Sequence, residues 1–178
     1  MTLKIPREMV KGNTQSNGIA YLERLYHLHG PAILRYLYRL IGPKTAEDIL
    51  QDTFVQAMSH LDRLETAAYP KAWLMTVARN LAINTLRRQN KGVVEMDWSQ
   101  PVQSKPTEDE RLERMRQMIM KLPEDMRETL YLRWYDQLSY EQIAEVMRIP
   151  VGTVRSRLHH GLTKLRDQLS DDEQGKRS

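Results

Sequence analysis

Apolar positions recur along this chain at the three- and four-residue spacing of a helix face, and no segment reads convincingly as a strand. From Ile19 to Ile41, the residues Leu22, Leu25, Tyr26, Ile33, Leu34, Leu37 and Leu40 form one stripe, with a bend expected at Gly30-Pro31. Gly42-Pro43 ends that segment. Thr45 is placed to cap the next helix, with Glu47 and Asp48 in its first turn, where the helix dipole favours anions. Ala46, Ile49, Leu50, Thr53, Phe54, Ala57, Met58 and Leu61 make its inward stripe, and Asp48, Gln51, Asp52 and Gln56 lie opposite. Asp62 to Tyr69 reads as a loop. Pro70 suits the start of a third helix, in which Leu74, Val77, Ala78, Leu81 and either Thr85 or Leu86 point inward.

The pattern then breaks. Gly92 to Pro106 has no helical period and reads as an extended linker. Thr107 with Glu110 is a capping box opening a helix that carries Leu112, Met115, Ile119 and Leu122. Pro123 starts another, with Met126, Leu130 and Trp134 as its stripe. From Leu138 to Leu169 the chain reads as a short helix, a tight break and a long basic helix. Ser139 and Gln142 form a capping box, and Leu138 and Ile143 are spaced as a hydrophobic staple. Arg148-Ile149-Pro150 stops the first helix. The second carries Val154, Leu158, Leu162, Leu165 and Leu169 on one side and Thr153, Arg155, Ser156, Arg157, His159 and His160 on the others. That is the layout of a DNA-reading helix-turn-helix.

The fold class is therefore all-α: two small helical bundle domains joined by a flexible linker, the C-terminal one containing the helix-turn-helix. The boundaries read as a flexible N-terminal arm at 1–18, a first bundle at 19–91, a linker at 92–106, a second bundle at 107–170 and a charged tail at 171–178.

Charge sharpens the nucleic-acid reading. Between Arg148 and Leu169 stand Arg148, Arg155, Arg157, Lys164 and Arg166 against the single anion Asp167, and that excess equals the +4 of the whole chain of 178 residues. A localised basic surface gains from releasing the counterions of a polyanion. The plain alternative is a solvated helical hairpin with a basic outer face. There is no cysteine, and His27, His29 and His60 lack the spacing and partners of a metal site, so no metal is expected. No cofactor, phosphate-binding glycine loop or nucleophile motif is recognisable, which argues against an enzyme with a small-molecule substrate. No apolar run approaches the roughly 20 residues that span a bilayer, and the first residues lack the apolar core of a secretion signal. A cytoplasmic location is expected.

The segments AEDILQDTFVQAM and AWLMTVARNLAINTLRRQ in the first bundle, and LPEDMRETLYLRWYDQLSYEQIAEVMRIPVGTVRSRLHHGLTKLR in the second, resemble bacterial extracytoplasmic-function (ECF) sigma factors of the sigma-70 family. The resemblance covers roughly residues 19–169, with the motifs in the family's order and spacing. It implies a subunit that binds core RNA polymerase and directs promoter-specific transcription initiation in response to a stress or envelope signal. Region 4 of such a protein reads the −35 element as duplex, and region 2 recognises and helps open the −10 element.

The resemblance places Val151, Gly152, Thr153, Arg155, Ser156, Arg157, His159 and His160 at or near the −35 DNA. Physical chemistry is compatible. Gly152 allows backbone to approach phosphate, and N–H groups at a helix start attract anions. Arg155 can hold a guanine edge with two hydrogen bonds. Ser156 suits a base or a phosphate, and Arg157 suits DNA or an acidic side chain equally. His160 departs from the family's commoner Arg, and a neutral imidazole adds little charge. A GGAAC-like −35 element is the family expectation. Toward the −10 element the resemblance places Asn80 and Asn84, which share a helix face, with Arg79, Arg87, Arg88 and Lys91 along the backbone. The loop at 62–69 matches the family's base-capturing loop. Trp73 reads as core rather than as a stacking platform. Asp48, Gln51, Asp52 and Gln56 match the polymerase-binding surface. An anti-sigma factor is an expected partner. Two other readings compete: a stand-alone helix-turn-helix transcriptional regulator, and a helical interaction protein whose basic face meets an acidic partner.

Overall fold

The computed structural model describes residues 13–88, 115 and 117–175. The chain divides into two compact units, Met1–Asp97 and Trp98–Ser178. Among the described residues every regular element is helical.

The first unit holds α1 (Asn13–Ile41), α2 (Pro43–Ser59), α3 (Leu61–Glu65) and α4 (Pro70–Arg88). Helices α1, α2 and α4 pack against one another, and α3 touches both α2 and α4. Leu22, Ile33, Tyr36, Leu37, Leu50, Phe54, Leu64, Leu74 and Met75 are completely or almost completely withdrawn from solvent. Each such side chain contributes about 1.5–3 kcal/mol through lost apolar surface.

Helix α1 begins inside the stretch expected to be an arm, and it passes through Gly30-Pro31 without ending. Proline inside a helix costs about 3 kcal/mol or more, because it cannot donate to the preceding turn. Burial on both sides of Pro31 offsets that cost: Leu22, Leu25 and Tyr26 precede it, and Ile33, Tyr36, Leu37 and Leu40 follow.

Helix α2 starts at Pro43 rather than at Thr45, and Gly42 is its N-cap. The Gly42 N–H donates to the Tyr38 carbonyl at 3.0 Å, closing α1, and its carbonyl accepts from Ala46 at 3.2 Å, opening α2. Its backbone angles, φ 84° and ψ 163°, lie in a region that essentially only glycine occupies. The expected loop at 62–69 opens with the helical turn α3, which seats Leu64 in the core.

In α4 the inward face is Ala72, Leu74, Met75, Ala78, Ala82 and Leu86. Val77 and Leu81, expected inside, are only partly buried. The helix packs on both α1 and α2, and its alanines let it approach closely.

The second unit holds a helical stretch described at 117–120, then α5 (Glu124–Trp134), α6 (Tyr140–Met147) and α7 (Val151–Gly175). Helices α5, α6 and α7 form a mutually packed trio. Its core includes Leu122, Leu130, Leu132, Leu138, Ile143, Val146, Val154 and Leu158. Trp134, expected on the inner stripe of α5, is 54% exposed, and Leu162 and Leu169 are 43% and 54% exposed. Each four-residue step overshoots the 3.6-residue turn by about 40°. Two steps from Met126 therefore bring Trp134 off the core, and two steps from Val154 do the same to Leu162. Gly161, seven residues after Val154, is buried in its place. The expectations for the linker 92–106, Lys91, Thr107, Glu110 and Leu112 lie outside the described residues, as do the tail side chains from 171 onward, although α7 itself runs to Gly175.

Replacing Gly42 with Ala is expected to destabilise the first unit by about 1–3 kcal/mol through backbone strain alone, since an added Cβ would meet no atom within 4 Å. Denaturant titration of the full chain checks this: an unchanged midpoint would refute the strained-cap account.

Candidate nucleic-acid interface

The helix-turn-helix is α6 and α7, and its local chemistry fixes both ends of α6. The Ser139 Oγ accepts from the Gln142 N–H at 3.2 Å, while the Ser139 N–H donates to Gln142 Oε1 at 2.8 Å, so the capping box is complete. Leu138 and Ile143, the staple positions on either side, are both buried. Arg133, near the end of α5, donates to the Leu138 carbonyl at 3.0 Å and lays its guanidinium 5.6 Å from the Tyr140 ring centroid. These contacts tie the last turn of α5 to the first of α6.

At the other end of α6 a non-glycine residue takes the left-handed conformation: Arg148, with φ 53° and ψ 49°. The Ile149 N–H donates to the Ala144 carbonyl at 3.1 Å and the Arg148 N–H to the Glu145 carbonyl at 3.3 Å. This is the paired bonding of a Schellman motif. The sequence placed the stop at Arg148-Ile149-Pro150 and credited the proline; the helix does end there, and the left-handed turn at Arg148 ends it. The Pro150 carbonyl then accepts from Thr153 at 2.9 Å and Val154 at 3.2 Å, starting α7.

Helix α7 lies on α5 and α6 through Val154, Leu158 and Gly161, all buried. A Cβ at Gly161 would come within 3.2 Å of Leu130 Cδ1, so the missing side chain permits the close crossing with α5. With those residues inward, Gly152, Arg155, Ser156, His159 and His160 are exposed, and Val151 and Thr153 sit at intermediate depth. The Ser156 hydroxyl donates to the Thr153 carbonyl at 3.0 Å, and the His159 and His160 rings lie 5.7 Å apart. An added Cβ on Gly152 would meet nothing within 4 Å, so the fold itself does not require glycine there.

The two arginines in the first two turns of α7 face different surroundings. Glu141, at the start of α6, has its carboxyl pKa lowered by its own backbone N–H, then by the Ser139 hydroxyl and by the nearby Arg155 charge. Arg157 stands about 200° round the helix from Arg155. It pairs with Asp125 of α5 at 3.0 Å and keeps only 23% of its side chain exposed.

In the first unit, Asn80 and Asn84 share one face of α4, with Asn80 half-buried and Asn84 exposed. Arg87 and Arg88 are exposed in the last turn, where the dipole also favours cations. Arg79 is half-buried. On α2, Asp48, Asp52 and Gln56 are exposed. Gln51 is half-buried, and the Tyr26 hydroxyl of α1 has its pKa raised chiefly by burial. His29 of α1, absent from the sequence-derived site, faces the start of α4. Burial lowers its pKa first, and the Lys71 charge adds to the effect. The sequence offered no signal for that juxtaposition, because His29 and Lys71 meet only through the packing of α1 on α4. Among the described residues no group of His, Asp and Glu could hold a metal, and no helix is long and apolar enough to cross a membrane.

The chain thus has a basic helix-turn-helix in one unit and an amide- and arginine-bearing helix in the other, the two-module layout of a nucleic-acid-binding protein. Two family descriptions match the same regions: sigma-70 region 2 over residues 25–92 and sigma-70 region 4 over residues 112–165. The chain is 31% identical to the RNA polymerase sigma factor YlaC of Bacillus subtilis, covering 88% of this chain and 96% of that one. It is 36% identical to the ECF RNA polymerase sigma factor SigL of Mycobacterium tuberculosis, covering 85% and 90%. Among solved structures it resembles the sigma factor RpoE in its complex with the anti-sigma factor NepR from Bartonella quintana, with 26% identity, a TM-score of 0.63 and coverage of 84% and 97%. This chain belongs to the ECF RNA polymerase sigma factors of the sigma-70 family. The relatives are sigma factors, which are not catalytic enzymes.

The lowered pKa of His29 has a consequence for stability. A histidine that protonates less readily when folded favours unfolding once its unfolded form takes up a proton, so stability is expected to fall as pH drops below about 6.5. His29→Gln is expected to shallow this loss between pH 7 and pH 5 in thermal unfolding of the full chain. An unchanged pH profile in the variant would show that His29 does not contribute.

Proposed function

We propose that this chain binds core RNA polymerase and carries it to a set of promoters, with α7 reading the −35 element in the major groove and α4 holding the separated strands of the −10 element. The observation that carries this reading is the exposed face of α7. Gly152, Arg155, Ser156, His159 and His160 lie outward on a helix whose opposite side is locked into a bundle by Val154, Leu158 and Gly161. In this reading Arg155 holds a guanine edge, Gly152 and the first N–H groups of α7 meet phosphate, and Ser156, Thr153, Val151, His159 and His160 line the groove. Arg79, Asn80, Asn84, Arg87 and Arg88 serve the −10 strands. Asp48, Gln51, Asp52 and Gln56 form the polymerase-facing surface, which suits a basic groove on the enzyme.

The protein acts in the cytoplasm, where its template is. An anti-sigma factor holds it inactive until a stress or envelope signal arrives; the Bartonella relative was solved with such a partner. A stand-alone regulator is not favoured, because region 2 as well as region 4 is matched.

Transcription from a matching promoter with purified core polymerase tests the proposal. Activity is expected only when both proteins are present. Arg155→Ala is expected to lower discrimination for the −35 element by about 1–3 kcal/mol, the worth of a two-point contact to guanine. Tight promoter binding without polymerase, or full activity in the Arg155 variant, would overturn it. A second substitution isolates the backbone contact. Gly152→Ala should leave the unfolding midpoint unchanged or raised, since alanine suits a helix better by up to about 1 kcal/mol, yet it should weaken duplex binding.

A further inference from the structure

The ion pair between Asp125 and Arg157 sets one cation of the reading helix apart from the others. Arg157 lies at the rim of the buried side of α7, where Val154, Leu158 and Gly161 meet α5. Its guanidinium is 3.0 Å from Asp125 Oδ2. The other carboxylate oxygen, Oδ1, accepts from the Met126 N–H at 2.9 Å, in the first turn of α5. An anion is favoured at that end of a helix, so the carboxylate is fixed before Arg157 reaches it. The pair is half-exposed, with 23% of the Arg157 side chain and 47% of the Asp125 side chain open to solvent. Its contribution to fold stability is accordingly small. Its effect on the charge of the surface is not small, because it neutralises one of the two arginines in the first two turns of α7 and anchors it away from the face that carries Arg155.

We propose that Asp125 is a specificity-determining residue: it withholds Arg157 from the phosphate backbone, so that binding rests on base contacts rather than on indiscriminate charge. Phosphate contacts raise affinity for every sequence alike and carry no direct sequence information. A flexible arginine released beside the groove adds one such contact. The price of Asp125 is weaker overall binding, and its return is a wider gap between promoter and random DNA. This inference rests on the proposed DNA-reading role of α7.

The test is fluorescence anisotropy of the full chain on a random duplex across a salt series, paired with holoenzyme binding to promoter and non-promoter DNA. In Asp125→Asn the side-chain oxygen still accepts from the Met126 N–H, so the helix start is retained while the charge is lost. The slope of log affinity against log salt should steepen by about 0.9, the value for one additional phosphate contact. That corresponds to about an eightfold larger change in affinity over a tenfold change in salt. The ratio of promoter to non-promoter binding by holoenzyme should fall. In Asp125→Asn with Arg157→Ala the slope should return to that of the unaltered chain. A slope that stays steep in the double variant would assign the effect to relieved carboxylate repulsion and overturn the proposal. An unchanged slope in Asp125→Asn would overturn it as well. Arg155→Ala separates the two levels of failure. If that variant also leaves both slope and discrimination unchanged, the DNA-reading role of α7 is wrong. If Arg155→Ala responds and Asp125→Asn does not, only the role of Asp125 is wrong.

Discussion

The second unit depends on the burial of one narrow strip of α7 against α5 and α6. Val154 and Leu158 supply the apolar surface, and Gly161 supplies the room. Once that strip is inward, the orientation of every other residue on the helix follows from the 3.6-residue turn. Arg155, Ser156, His159 and His160 are outward because their neighbours are not. That outward face is thus a by-product of core packing, and it is rigid for the same reason.

The turn before α7 serves the same end. A complete capping box fixes the start of α6 and a Schellman motif fixes its finish. The left-handed residue is an arginine, although glycine would take that conformation at less cost. The first unit works by a parallel logic with different residues. Gly42, in a conformation closed to other side chains, joins α1 to α2 in a single residue and sets how those helices meet α4. The exposed asparagine and arginines of α4 are then presented by a core of Leu74, Met75 and three alanines.

Most of the helices were legible in the sequence because their apolar spacing is strong and their caps are explicit. Ser139 with Gln142 announced the start of α6, and Gly42-Pro43 the junction of α1 and α2. What escaped was rotational phase. Trp134 and Leu162 extend their stripes in steps of four, which drift round the helix, and glycine and alanine hold the buried positions where hydrophobic reading expects large residues. Ala72, Ala82 and Gly161 carry little apolar weight in a sequence, yet they decide how closely helices cross. Tertiary pairing was hidden too. Arg157 suited DNA and an acid equally by sequence, and only the approach of α5 brings Asp125 to it. The α3 turn was missed because five residues are too few to show a period.

The length of α7 has a mechanical consequence. Its 25 residues make a rod of about 37 Å, whose fully buried side among the described residues, at Val154, Leu158 and Gly161, lies toward one end, while Leu162 and Leu169 emerge into solvent. A rod clamped near one end behaves as a lever. A tilt of a few degrees at the Gly161 crossing sweeps the distal end through a distance far larger than the displacement at the clamp, and a load on the distal end returns as torque on the first turns.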